Sequence, residues 1–204
     1  MEARRLNGSV RENIFPPGLL SIVRKYEAEK VKPKVIELGP GPLSDLAWGV
    51  EAGLIEVVGI DPLADEYNKI LNKRRIFFPI RAVQGTGEEL SLPDNSFDIA
   101  YLRNSLDHTS DPRKCLWNLV KALKIKGYLY IHGNVREGSR VGWTGLHQHD
   151  LVIEENCLML YDRRGDKTDL TDGLGLKTIE VSQTPDKPIA LFTILLQKEE
   201  SLPG

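Results

Sequence analysis

The chain has 204 residues, 27 of them basic and 29 acidic, for a formal charge of −2, and 41% are hydrophobic types. That is one domain's worth of core, and the balanced charge excludes a grip on duplex nucleic acid through a broad basic face, which needs many Lys and Arg to displace phosphate counterions. The two cysteines, Cys115 and Cys157, match no zinc-ligand spacing, and the longest apolar run, Ile189 to Leu196, is far shorter than the roughly 20 residues of a membrane span. No apolar leader follows MEARRLN, so a reducing, cytoplasmic setting and a small or medium-sized ligand are expected.

The first helix is expected after Pro16, Pro17 and Gly18, where Leu19, Leu20, Ile22, Val23 and Tyr26 fall at helical spacing, ending before Pro33. KVIELG reads as a buried strand. Ser44 to Ala52 reads as a helix with Leu46, Ala47 and Val50 on one face and Gly53 as its stop. Ile55 to Ile60 is β-rich and closes on Asp61, and Leu63, Tyr67, Ile70 and Leu71 return to helical spacing. A weaker strand near Ile80 to Gln84 and a fourth from Phe97 to Leu102 follow.

The clearest helix comes next. Asp111 can cap it, Pro112 suits its first turn, Cys115, Leu116, Leu119, Val120 and Leu123 form its buried stripe, and Gly127 lies just past its end. A fifth strand, YLYIH, follows. Strands alternating with helices imply parallel pairing, so the expected fold is a doubly wound α/β sheet with helices on both faces. Beyond His132 the rhythm changes to a polar loop, Asn134 to Asp150, then short strands at Leu151 to Ile153, Cys157 to Tyr161, Lys177 to Val181 and Ile189 to Gln197. This is a β-rich C-terminal extension. No linker or repeat divides the chain, and residues 1–204 read as a single domain.

In an open parallel sheet, ligands sit at the carboxyl ends of the strands beside the first one. The sequence there is ELGPGPLSD, in which Gly39 and Gly41 let the backbone approach a ligand. Asp61 ends the second strand about twenty residues beyond Gly41, where a carboxylate accepts from ribose hydroxyls. The third glycine of a dinucleotide fingerprint is missing, Ser44 standing in its place, and there is no Gly-Lys-Ser/Thr phosphate loop. Glu37 puts negative charge where NAD or ATP would bring phosphates. A cationic adenosine ligand fits better: S-adenosylmethionine (SAM) carries a sulfonium and an ammonium. Taken singly, the glycines also fit a plain tight turn, and Asp61 a cap on the following helix.

These residues resemble the class I SAM-dependent methyltransferases, in particular the small-molecule branch that methylates sugars, polyketides and quinones. The resemblance runs from about Val35 to Gly133: VIELGPGP is similar to the first motif, VVGIDP to the ribose-binding acid with its following Pro62, and GTGEELSLPDNSFDIAYLRNSLDHTSDPRKCLWNLVKALKIKGYLYIHG to the later motifs. It implies a Rossmann-like, mostly parallel seven-stranded sheet with a reversed last strand. It also implies a SAM-binding core over 35–133, a helical lead-in over 1–34, and an acceptor loop, β-hairpin and last strands over 134–204. By this resemblance Glu37, Gly39, Gly41, Asp61, Pro62, Thr86, Gly87, Glu88, Arg103 and Asn104 bind SAM, which leaves as S-adenosylhomocysteine. Thr86 stands where the family has an Asp that reaches the adenine, so that contact passes to its hydroxyl or to the N–H groups of Gly87 and Glu88.

Methyl transfer from a sulfonium is an in-line displacement, and a hydroxyl acceptor must also lose its proton. Asp107 and His108 follow the fourth strand, and His132 ends the fifth. Related sugar O-methyltransferases often have His-His where Asp107 and His108 stand, so Asp107 can be the base, orient His108, or bind a metal. His147, His149 and Asp150 crowd the next loop, which is expected to close over the acceptor with Trp143 as an apolar wall; simple packing is the alternative for Trp143. The expected catalytic set is Asp107, His108, His132 and His149. A divalent ion is an alternative that this reading does not adopt. The acceptor is expected to be a small polar molecule, a sugar or glycan above all, with N- or C-methylation of another metabolite, or a non-catalytic SAM-binding module, as the rival readings. Neither the oligomeric state nor membership of a longer polypeptide follows from the sequence.

Overall fold

The computed structural model describes residues 15–185 and 189–202. The first part of the expected lead-in, including MEARRLN, lies outside the described residues. The chain forms two compact units that divide between Thr86 and Gly87.

In the first unit, helix α1 (Pro17–Ala28) buries Leu19, Ile22 and Val23. Strand β1 (Lys34–Leu38) is buried at every position after Lys34, as expected of a strand covered on both faces. It pairs in parallel with β2 (Glu56–Asp61), setting Glu37 opposite Gly59. Between them, α2 spans only Ala47–Glu51, not Ser44 to Ala52. Ser44 is drawn out of the helix because its hydroxyl donates to Glu37 and accepts from the Leu46 N–H. Gly53 follows the helix at φ +74°, the left-handed stop that glycine adopts most readily.

Helix α3 (Ala64–Lys73) leads to β3, which is two residues long, Val83–Gln84, and parallel to the end of β2. The expected start at Ile80 fails for a local reason. Asn68 donates its side-chain amide to the Ala82 carbonyl at 3.0 Å, taking an acceptor that a longer ladder would need.

In the second unit, β4 (Phe97–Arg103) is buried up to Leu102. Helix α4 (Pro112–Ala122) begins as expected: the Asp111 carboxylate accepts from the Lys114 N–H at 2.9 Å, with Pro112 in the first turn. Its end differs. Leu123 is already extended, and β5 runs Leu123–Asn134, so Gly127 lies within the strand. The pairing of β4 with β5 shifts register between Phe97 and Ile99, jumping from Leu123 to Tyr128 on the partner strand. Gly127 serves that bulge: a Cβ there would lie 2.8 Å from the Lys124 carbonyl oxygen and 3.0 Å from that of Asp98. The glycine permits a close backbone approach.

A four-residue helix, α5 (Glu137–Arg140), interrupts the expected polar loop. Strands β6 (Asp150–Glu154), β7 (Cys157–Tyr161) and β8 (Lys167–Asp169) make a small antiparallel sheet. Glu155 and Asn156 turn β6 into β7, both at positive φ, as a two-residue hairpin of the right twist requires. Strand β10 (Leu191–Lys198) lies antiparallel between β5 and β9 (Leu176–Gln183). The fold is of the expected α/β class with a mostly parallel seven-stranded sheet. Among the described residues no helix is long and apolar enough to cross a membrane.

Candidate functional site

The first unit carries the loop after β1. Gly39 and Gly41 adopt φ +73° and +61°, and the Gly39 N–H donates to the Ile60 carbonyl at 2.8 Å. Asp61, 5% exposed, holds the same loop: one carboxylate oxygen accepts from the Gly41 N–H at 3.0 Å and the other from the Leu63 N–H at 2.8 Å. Each oxygen keeps a second lone pair for a hydroxyl donor. Nothing lies within 4 Å of where a Gly41 Cβ would stand. Glu37 is buried, and burial, helped by the nearby Asp61 charge and opposed by the Ser44 hydroxyl, pushes its carboxyl up to about 7. Pro62 follows Asp61 and is exposed; Thr86 is half-buried.

The second unit opens with Gly87 and Glu88 in a 3₁₀ turn. The Glu88 carboxylate accepts from the Ser110 N–H at 2.7 Å, the Ser110 hydroxyl at 2.8 Å and the Asp111 N–H at 3.2 Å. Burial would raise its pKa, but these bonds outweigh it and bring the carboxyl down to about 2. The Asn118 amide donates to the Gly87 and Glu88 carbonyls. The Glu88 side chain therefore ties its loop to the start of α4. Arg103 ends β4 and is exposed, and Asn104 sits at φ +46° with its amide oxygen accepting from the Asn134 N–H.

Asp107 and His108 lie on a 3₁₀ turn after β4. The loop leading to β6 runs alongside: the Gln148 N–H donates to the Asp107 carbonyl at 3.0 Å, its amide to the His108 carbonyl at 3.2 Å, and His149 Nε2 meets the Thr109 carbonyl at 3.0 Å. Asp107 is buried and its Oδ2 lies 2.7 Å from His147 Nδ1; His108 Nε2 lies 3.1 Å from the same nitrogen. A shallow depression is lined by Asn104, Asp107, His132, Gly133, Asn134 and Phe192, among others. His132 Nδ1 contacts the Thr193 hydroxyl at 3.0 Å. Burial, and then the Arg103 guanidinium, hold the His132 imidazole below its ordinary range, so it is largely neutral at pH 7.

Residues 36–131 match the family described as a methyltransferase domain. The matched stretch is a little under half of the chain. The uncharacterized methyltransferase Rv3342 of Mycobacterium tuberculosis is 32% identical over 112 residues, covering 54% of this chain and 43% of the relative. The match spans less than half the length of that curated relative. A SAM-dependent methyltransferase from Aquifex aeolicus shares the fold at 16% identity and TM-score 0.54, covering 95% of this chain and all of the other. The 1,6-didemethyltoxoflavin-N1-methyltransferase of Burkholderia thailandensis, solved with 1,6-didemethyltoxoflavin and S-adenosylhomocysteine, shares it at 12% identity and TM-score 0.55, covering 98% and 94%.

These comparisons support SAM as the cofactor. The first unit's loop fits such a group on two observations: the open face beside Gly41 and the buried Glu37 acid, whose ionised form a cationic ligand would favour. Of the expected catalytic residues, Asp107 and His132 line one depression, whereas His108 turns toward His147 and His149 toward Thr109. His147 was not in the expected catalytic set, yet it makes the shortest contact to Asp107. Its alternation with His149 reads as strand, which hides that the two rings meet different partners. Trp143 packs on Gly138, where a Cβ would lie 2.8 Å from the indole, a contact that fits the packing alternative.

Proposed function

We propose that the chain transfers a methyl group from SAM to a hydroxyl of a small polar acceptor, a sugar or glycan. Residues 35–133 form the cofactor part and 134–204 supply the acceptor loop, hairpin and last strands of a single methyltransferase domain. When bound, SAM supplies an electrophilic methyl carbon on a sulfonium. Glu37 and Asp61, with the Gly39–Gly41 backbone, hold it in the first unit. The resemblance assigns further SAM contacts to Pro62, Thr86, Arg103 and Asn104, and to Gly87 and Glu88 through their backbone.

The observation that carries the acceptor reading is the company Asp107 keeps: a buried carboxylate sharing one depression with a largely neutral imidazole, His132, and two amide side chains, Asn104 and Asn134. Such a lining can orient a hydroxyl and accept its proton, which is what O-methylation demands and N-methylation of a free amine does not. Asp107 or His108 acts as base, with His132 or His149 assisting. Burial, seconded by the Arg103 guanidinium, keeps His132 in its proton-accepting form.

Mass spectrometric product detection across a panel of sugars, phenols and amines tests the proposal. Methylated sugars, lost in Asp107→Asn or His108→Ala, are expected; methylation of amines alone would overturn the acceptor class. Turnover unchanged in both variants would overturn the base assignment.

A further inference from the structure

We propose that Asp107 Oδ2, His108 Nε2 and His147 Nδ1 together bind one divalent transition-metal ion of the zinc, cobalt or nickel type. This goes beyond methyl transfer and holds whatever the acceptor is; with the ion bound, Asp107 and His108 serve as ligands and the proton-accepting role passes to His132, which lines the same depression as Asp107. Three ligand atoms of three side chains converge on one point: Asp107 Oδ2 to His147 Nδ1 is 2.7 Å, His147 Nδ1 to His108 Nε2 is 3.1 Å, and His108 Nε2 to Asp107 Oδ2 is 3.5 Å. A triangle of those sides has its corners about 1.8 Å from its centre, so an ion about 1 Å above the plane would sit roughly 2.1 Å from all three, the bond length of Zn–N and Zn–O contacts.

Hydrogen bonding alone serves this arrangement poorly. His147 Nδ1 can donate its single proton to the carboxylate or accept one from His108 Nε2, but in a given tautomer it cannot do both. A cation lets all three atoms act as donors of electron pairs at once.

The surroundings match a metal centre as well. The remote nitrogen of His147, Nε2, faces the Glu137 carboxylate at 3.9 Å, and Glu137 is itself buried and fixed by two hydrogen bonds from the Arg140 guanidinium. A carboxylate behind a ligating imidazole orients the ring and strengthens its donation. The peptide of Gln148 bonded to Asp107, and its side chain bonded to His108, brace the two loops that supply the ligands. Asp107 is buried, but the two imidazole side chains are 33% and 29% exposed, so an ion can enter. Two imidazoles and one carboxylate favour a borderline transition metal over magnesium, which prefers oxygen donors. Three protein ligands leave a position for water or an oxygen of a small molecule.

The test uses the full chain, stripped with a chelator and titrated with Co²⁺ and then Zn²⁺. One equivalent of Co²⁺ is expected to bind with visible bands of nitrogen and oxygen coordination, to be displaced by Zn²⁺, and to resist excess Mg²⁺. Affinity should fall at least about 100-fold in His147→Ala and Asp107→Ala and about tenfold in Glu137→Gln, and persist in His149→Ala. No saturable binding, equal affinity in His147→Ala, or a thiolate charge-transfer band would each overturn the site. Should the ligand variants fail to fold, X-ray absorption of the zinc-loaded wild type decides: two imidazoles with oxygen uphold it, sulfur or an all-oxygen shell overturns it. The measurement needs neither SAM nor acceptor, so failure of the metal site leaves methyl transfer standing, and the reverse.

Discussion

Ser44 donates its hydroxyl hydrogen to the Glu37 carboxyl across 2.6 Å, with both side chains buried. The bond favours the ionised acid, burial disfavours it more, and the group settles at about 7. A carboxyl whose folded pKa lies above its unfolded value holds a proton that the unfolded chain has already lost. Without ligand, stability should fall as pH rises from about 4.5 to about 7, by a Glu37 share on the order of 3 kcal/mol. Denaturant midpoints across that window should show the slope in the wild type and lose it in Glu37→Gln; an unchanged slope in the variant would refute the assignment.

The same group makes ligand binding pH-dependent. A sulfonium or ammonium beside Glu37 favours the carboxylate, so binding of SAM should expel a proton near neutral pH and tighten as pH rises through about 7. Calorimetry in two buffers of different ionisation enthalpy measures that proton. Release of a fraction of a proton at pH 7 is expected in the wild type and none in Glu37→Gln.

Glu88 has the opposite sign. Its carboxyl lies well below the ordinary range at about 2 because Ser110 and Asp111 donate to the anion. Its contribution is complete above the unfolded pKa near 4.5 and is lost as pH falls toward 2. Glu88→Ala should cost about 2 kcal/mol at pH 7, the scale of hydrogen bonds to a charged group, and the deficit should shrink in acid. A deficit that does not change between pH 7 and pH 3 would refute the charge-based account.

What the sequence made legible was local. Asp111 caps α4 because capping depends on residues three positions apart, and Gly39, Gly41 and Asp61 meet because a short strand–turn–helix unit fixes their separation. The partners of Asp107 were not legible, since His147 reaches it from 40 residues away along a loop whose path depends on bonds between Gln148 and the turn at 107–108. Glu88 shows a third case. Its motif position pointed to a ligand, while its side chain is occupied by Ser110, a contact across 22 residues that no periodicity encodes.

The end of α4 supplies the last prediction. Helical spacing carries the buried stripe on to Leu123 and makes Gly127 a helix stop, but the chain turns extended at Leu123, whose carbonyl is taken by Lys198. The buried Lys198 ammonium donates to the Leu123 carbonyl at 2.6 Å and to the Asn95 side chain at 3.2 Å. The bulge then brings the Lys124 and Asp98 carbonyl oxygens so near Gly127 that a Cβ would meet both at 3.0 Å or less. Had Gly127 been a helix stop at positive φ, alanine would cost about 1 kcal/mol through backbone strain alone. Because the obstacles are two backbone oxygens of paired strands, Gly127→Ala should cost about 2–3 kcal/mol, in the range of overpacked cores. Since Lys198 anchors the same bulge, Gly127→Ala and Lys198→Met should be non-additive. Chemical denaturation of the two single variants and the double variant measures this. A Gly127→Ala penalty below about 1 kcal/mol, or strict additivity with Lys198→Met, would show that the bulge does not depend on glycine.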